Sequence, residues 1–328
     1  MIRFGVIGTS WITEEFIRCA RLTEEFCLNA VYSRGEEQAK RFADKHGVKN
    51  TFTDLHEMAQ SDLIDAVYIA SPNSFHASQS VLFMSHGKHV LCEKPIASNR
   101  KELSAMIEAS KRHQVLLMEG IKTTFLPNFQ TIKQNIHKIG KVRKFFSNYC
   151  QYSSRYDGYK EGKMPNTFQP EFSNGSIMDI GIYCIYPAIA LFGKPQKVSA
   201  NAIMLGSGID GAGSISLHYP DMEVLISHSK ISNSAIPSEI QGEDGVIIID
   251  KISIPDSVKI VYRNGLEEKI QQEQSKDSMV YEVREFIDCI KNNKTESSIN
   301  SLQLSLEVME IMETCRKQIG LIFPADKE

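Results

Sequence analysis

Two groups of residues in this 328-residue chain have the type and spacing for proton transfer: the tripeptide Glu93-Lys94-Pro95, and an aspartate and tyrosine four positions apart, Asp179 and Tyr183. A lysine whose direction is fixed by the following proline, set beside a bound cation, has its pKa lowered and can hydrogen-bond two hydroxyls at once. On a helix, Asp179 and Tyr183 project from one face, with Gly181 keeping the surface between them clear. A phenol near the Lys94 ammonium would have its pKa drawn below its usual value of about 10, toward general acid/base use. The bland alternatives stand beside this. Lys94 also reads as a solvent lysine closing a strand, and Tyr183 as a core aromatic among Ile180, Ile182, Ile185 and Tyr186.

A second set of residues suits a dinucleotide. Gly8-Thr9-Ser10-Trp11-Ile12-Thr13 follows the first apolar run, where a G-x-G-x-x-G/A fingerprint would stand, and keeps its first glycine. Ser10 is small enough for close backbone approach to a pyrophosphate, and Thr13 reads as a cap for the helix whose amides would receive it. Taken alone, the stretch is nearly as well a tight strand-to-helix turn. After the second run, where an NAD-specific site places a carboxylate, the chain has Tyr32-Ser33-Arg34, whose hydroxyl and guanidinium suit the 2′-phosphate of NADP. An ordinary surface arginine would look the same. Ser71-Pro72-Asn73, with His76 behind it, and Cys92-Glu93-Lys94 close two further runs, the ends at which open α/β sheets bind ligands. His76 reads as packing at a helix start.

The elements that must position these residues follow two grammars. Over 2–119, the runs Ile2 to Ile7, Leu28 to Tyr32, Asp65 to Ala70, His89 to Cys92 and Val115 to Met118 alternate with helical patterns near 13–25, 36–46, 54–60, 75–86 and 99–112. That is a doubly wound parallel sheet. Asn99 and Glu102 have capping-box spacing. Beyond about 120, amphipathic runs (Val142 to Tyr149, Val198 to Leu205, Ser214 to Tyr219, Glu223 to Ser229, Val246 to Asp250) lie beside turn residues, as in an antiparallel sheet. Helices fall at 175–192, 279–291 and 301–319. The expected fold is α/β, an N-terminal Rossmann domain (1–119) with a doubly wound parallel sheet. A C-terminal α+β domain (120–328) follows, with a mainly antiparallel open sheet. The polar, aromatic, Gly/Pro-punctuated stretch 151–174 is long for a plain connection.

Composition narrows the classes. With 37 Lys+Arg against 40 Asp+Glu, the net charge of −3 implies no polyanion partner. A 42% apolar and 23% charged chain is globular rather than disordered or fibrous. No run reads as long enough to cross a bilayer, and the N-terminus has no secretory-signal pattern. Seven scattered cysteines without C-x-x-C or His/Cys clusters disfavour a disulfide framework or a zinc site, and read as reduced cytoplasmic thiols.

The motifs together resemble the Gfo/Idh/MocA oxidoreductases, over nearly the whole chain. Glu93-Lys94-Pro95 is similar to the family signature. Ser71-Pro72-Asn73 with His76 is similar to its T-P-N-x-x-H stretch, and Asn174 to Tyr183 to its G-G-G-x-L-x-D-x-G-x-[HY]. The closing segment Leu302 to Pro324 matches as well. The branch with Tyr in the last motif position contains glucose-fructose oxidoreductase, NADP-dependent xylose dehydrogenases and dihydrodiol dehydrogenase. The resemblance implies Lys94 and Tyr183 as the catalytic pair and Asp179 as a substrate or orienting contact. It implies cofactor contacts from Gly8, Thr9, Ser10, Trp11, Ile12, Ser33, Arg34, Ser71, Pro72, Asn73, His76, Glu93 and Lys94. In the family's E-A/G-x-x-x-R-x-x-P pattern, Thr124 replaces a frequent arginine and Lys122 stands ready to compensate, which changes the expected substrate-pocket charge.

The expected reaction is hydride transfer between NADP(H), or NAD(H), and a secondary alcohol, hemiacetal or carbonyl of a sugar, inositol or dihydrodiol-like molecule, with no metal. Two other readings stay open, a non-catalytic NADP-binding sensor and a reductase of a non-sugar carbonyl or tetrapyrrole. A homodimer or homotetramer is expected, with no nucleic acid or membrane partner.

Overall fold

The computed structural model describes residues 1–327. The first part of the chain runs β1 (Ile2–Ile7), α1 (Trp11–Ala20), β2 (Phe26–Tyr32), α2 (Glu36–His46), β3 (Asn50–Phe52), α3 (Leu55–Gln60), β4 (Ala66–Ile69), α4 (His76–Ser85), β5 (His89–Glu93), α5 (Arg100–His113) and β6 (Leu117–Gly120). Then follow α6 (Pro127–Asn135), β7 (Val142–Cys150), α7 (Tyr156–Lys160), α8 (Ile182–Phe192), β8 (Lys197–Met204), β9 (Asp210–His218), β10 (Glu223–Ser229), β11 (Ser238–Gly242), β12 (Gly245–Ile249), β13 (Val258–Tyr262), β14 (Glu267–Lys269), α9 (Val280–Lys291) and α10 (Leu302–Ile319).

Strands β1 to β6 form one parallel sheet in the order β3-β2-β1-β4-β5-β6, the doubly wound arrangement whose strand order reverses between β1 and β4. Burial on both faces explains the continuous apolar runs: all four residues of β4 are buried. The short edge strand β3 escapes the sequence reading because Asn50-Thr51-Phe52 is neither long nor apolar. Asp54 starts α3 by accepting from the amides of His56 and Glu57. At α5 the Asn99 side chain accepts the Glu102 amide, as the expected cap requires, and the Glu102 carboxylate takes the amide of Ser98.

The chain divides into two compact units, and they differ from the expected domains 1–119 and 120–328. The first comprises Met1–Ile121 together with Ser275–Ser305; the second comprises Lys122–Gln274 and everything described from Leu306 on. The reason is an apolar stripe. In α9, Val280, Val283, Phe286 and Ile287 are buried, and Phe286 meets Phe4 of β1 at 5.7 Å between ring centroids, beside Phe16 of α1 and Phe26 of β2.

The second unit is built on an eight-stranded sheet, β14-β13-β12-β11-β7-β10-β9-β8, antiparallel except where β10 pairs parallel to β7. The sequence reading missed β11, β13 and β14, short strands of mixed composition. Along β10, Val224, Ile226 and His228 are buried while Leu225 and Ser227 are half-buried, so one face is covered. The helix α8, with Ile182, Ile185, Tyr186 and Ile189 buried, lies against β7 and β10. Contrary to the sequence expectation, the stretch Pro170–Phe192 is long and apolar enough to cross a membrane, but 67% of it is buried within the protein, as a core helix would be.

Candidate active site

In the first unit the expected residues gather at the carboxyl ends of the parallel strands. Gly8 leaves β1 with φ +101°, and a Cβ there would stand 2.6 Å from the carbonyl oxygen of Ala70 at the end of β4. Only glycine fits, so β1 and β4 can open side by side at the reversal point. Thr9 accepts a hydrogen bond from Gln38 at 3.0 Å. Ser10 is the extended N-cap of α1 and its side chain makes no capping bond. Trp11 is 69% exposed and Ile12 half-buried. Thr13 is not the cap: it is wholly buried, because Thr13, Phe16, Ile17 and Ala20 are the inward stripe of α1. Past β2, Ser33 is half-buried and Arg34 exposed. A glycine with positive φ, a helix N-terminus and an exposed guanidinium are chemically compatible with a dinucleotide bearing a 2′-phosphate.

After β4, Ser71 donates to Gln79 at 2.7 Å, Pro72 leads into the next turn and Asn73 is buried. His76 is 1% exposed, with Nδ1 2.8 Å from the carbonyl oxygen of Pro95 and Nε2 2.9 Å from that of Ser71. Burial pulls its pKa down while the two carbonyls push it up. Its ring is a tie between the β4 and β5 loops.

Lys94 is half-buried at the end of β5, with a cis bond to Pro95. Both sides of this turn are pinned by buried carboxylates. Glu93, expected among the cofactor contacts, is turned inward and accepts from the Tyr68 hydroxyl, whose ring stacks on Phe16 at 3.7 Å. On the other side the Ile96 amide donates to Glu119 Oε1 at 3.1 Å, and Ser305 donates to Oε2 at 2.7 Å. Burial pushes the Glu119 carboxyl up to about 7.

In the second unit, Asp179 lies on a π-helical turn, Ile177–Gly181, that precedes α8; such bulges are frequent at functional sites. The turn is held from behind. Asp210 Oδ2 accepts from the Ile177 amide at 2.7 Å, and Gly175, with φ +145°, leaves room for Asp210 Oδ1, which a Cβ would approach to 2.1 Å. Burial pushes the Asp210 carboxyl up to about 6. Gly181 does not face a clear surface as expected. It is buried against the imidazole of His228, which shares a 2.8 Å hydrogen bond with Ser176 and which burial pushes down to about 3. Tyr183 is half-buried, its ring edge-on to Tyr149 at 5.7 Å. Asp179 is paired at 3.0 Å with Lys230, a residue the sequence reading did not single out.

Residues 2–121 match a family model described as "Oxidoreductase family, NAD-binding Rossmann fold", and residues 129–248 match the "GFO/IDH/MocA C-terminal domain". The chain belongs to the Gfo/Idh/MocA oxidoreductase family. It is 56% identical over 327 residues, the full length of both chains, to scyllo-inositol 2-dehydrogenase (NADP(+)) IolU of Bacillus subtilis. It is 28% identical to trans-1,2-dihydrobenzene-1,2-diol dehydrogenase of Danio rerio, with 100% of this chain and 99% of the relative covered. Among solved structures, KijD10, a 3-ketoreductase from Actinomadura kijaniata in complex with NADP and TDP-benzene, superposes with a TM-score of 0.86 at 21% identity, over 97% of this chain and 98% of that one.

Within this Gfo/Idh/MocA chain, Thr124 lies buried in the first turn of the second unit and Lys122 is half-buried beside it. Among the described residues no cluster of three or more His, Cys, Asp or Glu side chains could hold a metal. Asp210, His228 and Lys230 are distant in sequence from Asp179. The one signal for them was the polar run His228-Ser229-Lys230 closing an otherwise alternating strand.

Proposed function

We propose that the protein is an NADP-dependent oxidoreductase of secondary alcohols on cyclic polyols, with an inositol as the first substrate to test and sugars or dihydrodiols as neighbours. The observation that carries this reading is the end-to-end 56% identity to an enzyme named as an NADP-dependent scyllo-inositol dehydrogenase. The Gly8-to-Ile12 stretch, Ser33, Arg34 and the turn from Ser71 to Asn73 would hold the cofactor, with NAD a weaker alternative. When bound, the nicotinamide supplies the hydride acceptor or donor.

The protein's own residues do the rest. Tyr183 takes the substrate hydroxyl proton in oxidation and returns it in reduction. Lys94, fixed between two buried carboxylate anchors, is the other member of the proposed catalytic pair and would supply positive charge to the reaction. Asp179 accepts hydrogen bonds from substrate hydroxyls and sets which carbon is presented. Lys94→Ala and Tyr183→Phe should each lower kcat by about a hundredfold or more while NADP binding, read by fluorescence titration, persists. Near-normal turnover in either variant sinks the assignment.

The same reading makes the protein a cytoplasmic homo-oligomer. Leu225, Val246, Ile248 and Val261 stand half-buried on the second sheet, between its fully buried positions, as a self-association face would. Sedimentation as a monomer, or fractionation outside the cytoplasm, would refute this.

A further inference from the structure

Lys230 follows the end of β10 and is 1% exposed. Burying an ammonium costs several kcal/mol unless its donors are matched. Here three donors meet three acceptors: Asp179 Oδ2 at 3.0 Å, Asn174 Oδ1 at 3.0 Å and the carbonyl oxygen of Thr167 at 2.7 Å. The ring of Phe168 lies 4.9 Å from the charge. The lysine backbone is fixed as well, its amide donating to Gly211 and its carbonyl accepting from Ser153, both at 2.8 Å. Asp210 faces the same charge from β9. One cation therefore joins the motif turn (Asn174, Asp179), the far end of the 151–174 segment (Thr167, Phe168) and β10. Asp179 remains about a third exposed, its side chain at 32%.

We propose that Lys230 is a positioning residue: it holds the Asp179 carboxylate in one orientation and locks the 151–174 segment to it, so that hydroxyl recognition depends on this unit rather than on Asp179 alone. This rests on the reading of Asp179 as a substrate contact. A core lysine with a purely structural task would lower stability without changing how substrate and cofactor are discriminated.

The test is a double-mutant cycle on kcat/KM with Lys230→Met, Asp179→Asn and both together, following NADPH with inositol as substrate. Asp179→Asn tests the underlying reading. Lys230→Met should raise the inositol KM and lower kcat/KM by about 10- to 100-fold, the worth of a hydrogen bond to a charged group, while the NADP KM moves less than about twofold. The double variant should fall no further than Asp179→Asn alone, the non-additivity of residues acting through one another. If Asp179→Asn leaves inositol kinetics intact, the reading of the site fails and the proposal with it. If Asp179→Asn impairs and the two effects multiply, or the NADP KM shifts as much as the inositol KM, the proposal alone is overturned. Lys230→Gln, which keeps N–H donors, repeats the cycle should Lys230→Met not fold. Failure of both to fold assigns Lys230 to the fold and overturns the proposal.

Discussion

Glu119 offers a sharp physical test, because a carboxylate anchoring the Lys94 turn carries a charge that its surroundings resist. Burial raises its pKa from 4.5 to about 7, against the pull of the Ser305 and Ile96 hydrogen bonds. Below pH 4.5 it is protonated in both folded and unfolded chains. Between 4.5 and 7 the folded chain keeps a proton that the unfolded chain has released, so this group's contribution to stability falls as pH rises through that window. At about 1.4 kcal/mol per pH unit of displacement, the full cost above pH 7 is about 3 kcal/mol. Glu119→Gln removes the charge while its amide keeps an acceptor for Ile96 and offers a donor to Ser305. The measurement is urea unfolding of both proteins from pH 5 to pH 8. Contributions from Asp210 and His228 are common to the two and cancel in the difference. The stability of the variant relative to the wild type should improve by about 2–3 kcal/mol across that range. Curves that stay parallel from pH 5 to pH 8 would show that Glu119 is ionised at no cost, and the account of the turn would be wrong.

Two further outcomes follow from the cofactor loop. Gly8→Ala forces a left-handed residue against the Ala70 carbonyl and should cost about 2–4 kcal/mol in urea unfolding, with weakened NADP binding by titration; an unchanged midpoint would refute the packing argument. Arg34→Ala should raise the NADP KM about tenfold or more and leave the NAD KM within about twofold, the signature of a lost charge-assisted phosphate contact. Equal changes for both cofactors would remove Arg34 from the 2′-phosphate role.

The parallel half was legible because burial on both faces writes continuous apolar runs such as Ala66–Ile69. The Lys94 turn was legible because proline follows lysine at a strand end. What escaped was decided by partners distant in sequence. Thr13 looks like a cap until α1 is seen to start at Trp11, which rotates Thr13 into the inward stripe. The π turn under Asp179 exists because Asp210, more than thirty positions on, captures the Ile177 amide. The polar run His228-Ser229-Lys230 is the one local hint of Lys230, and its burial is decided elsewhere, by three acceptors from other segments. Residues 275–305 read as part of the second domain because nothing in their own pattern names Phe4 as the neighbour of Phe286.

That last pairing has a consequence for synthesis on the ribosome. The aromatic floor formed by Phe4, Phe16 and Phe26 is made first and covered by Phe286 last. At translation speeds of about 5–20 residues per second, tens of seconds separate the two events. Throughout that interval the nascent Rossmann sheet lacks the helix that covers this patch, while the Lys122–Gln274 part of the second unit emerges. A chain ending before Ser275 would lack Phe286 and the rest of the α9 stripe, and should aggregate more readily than the full chain because the Phe4 cluster keeps its apolar face uncovered.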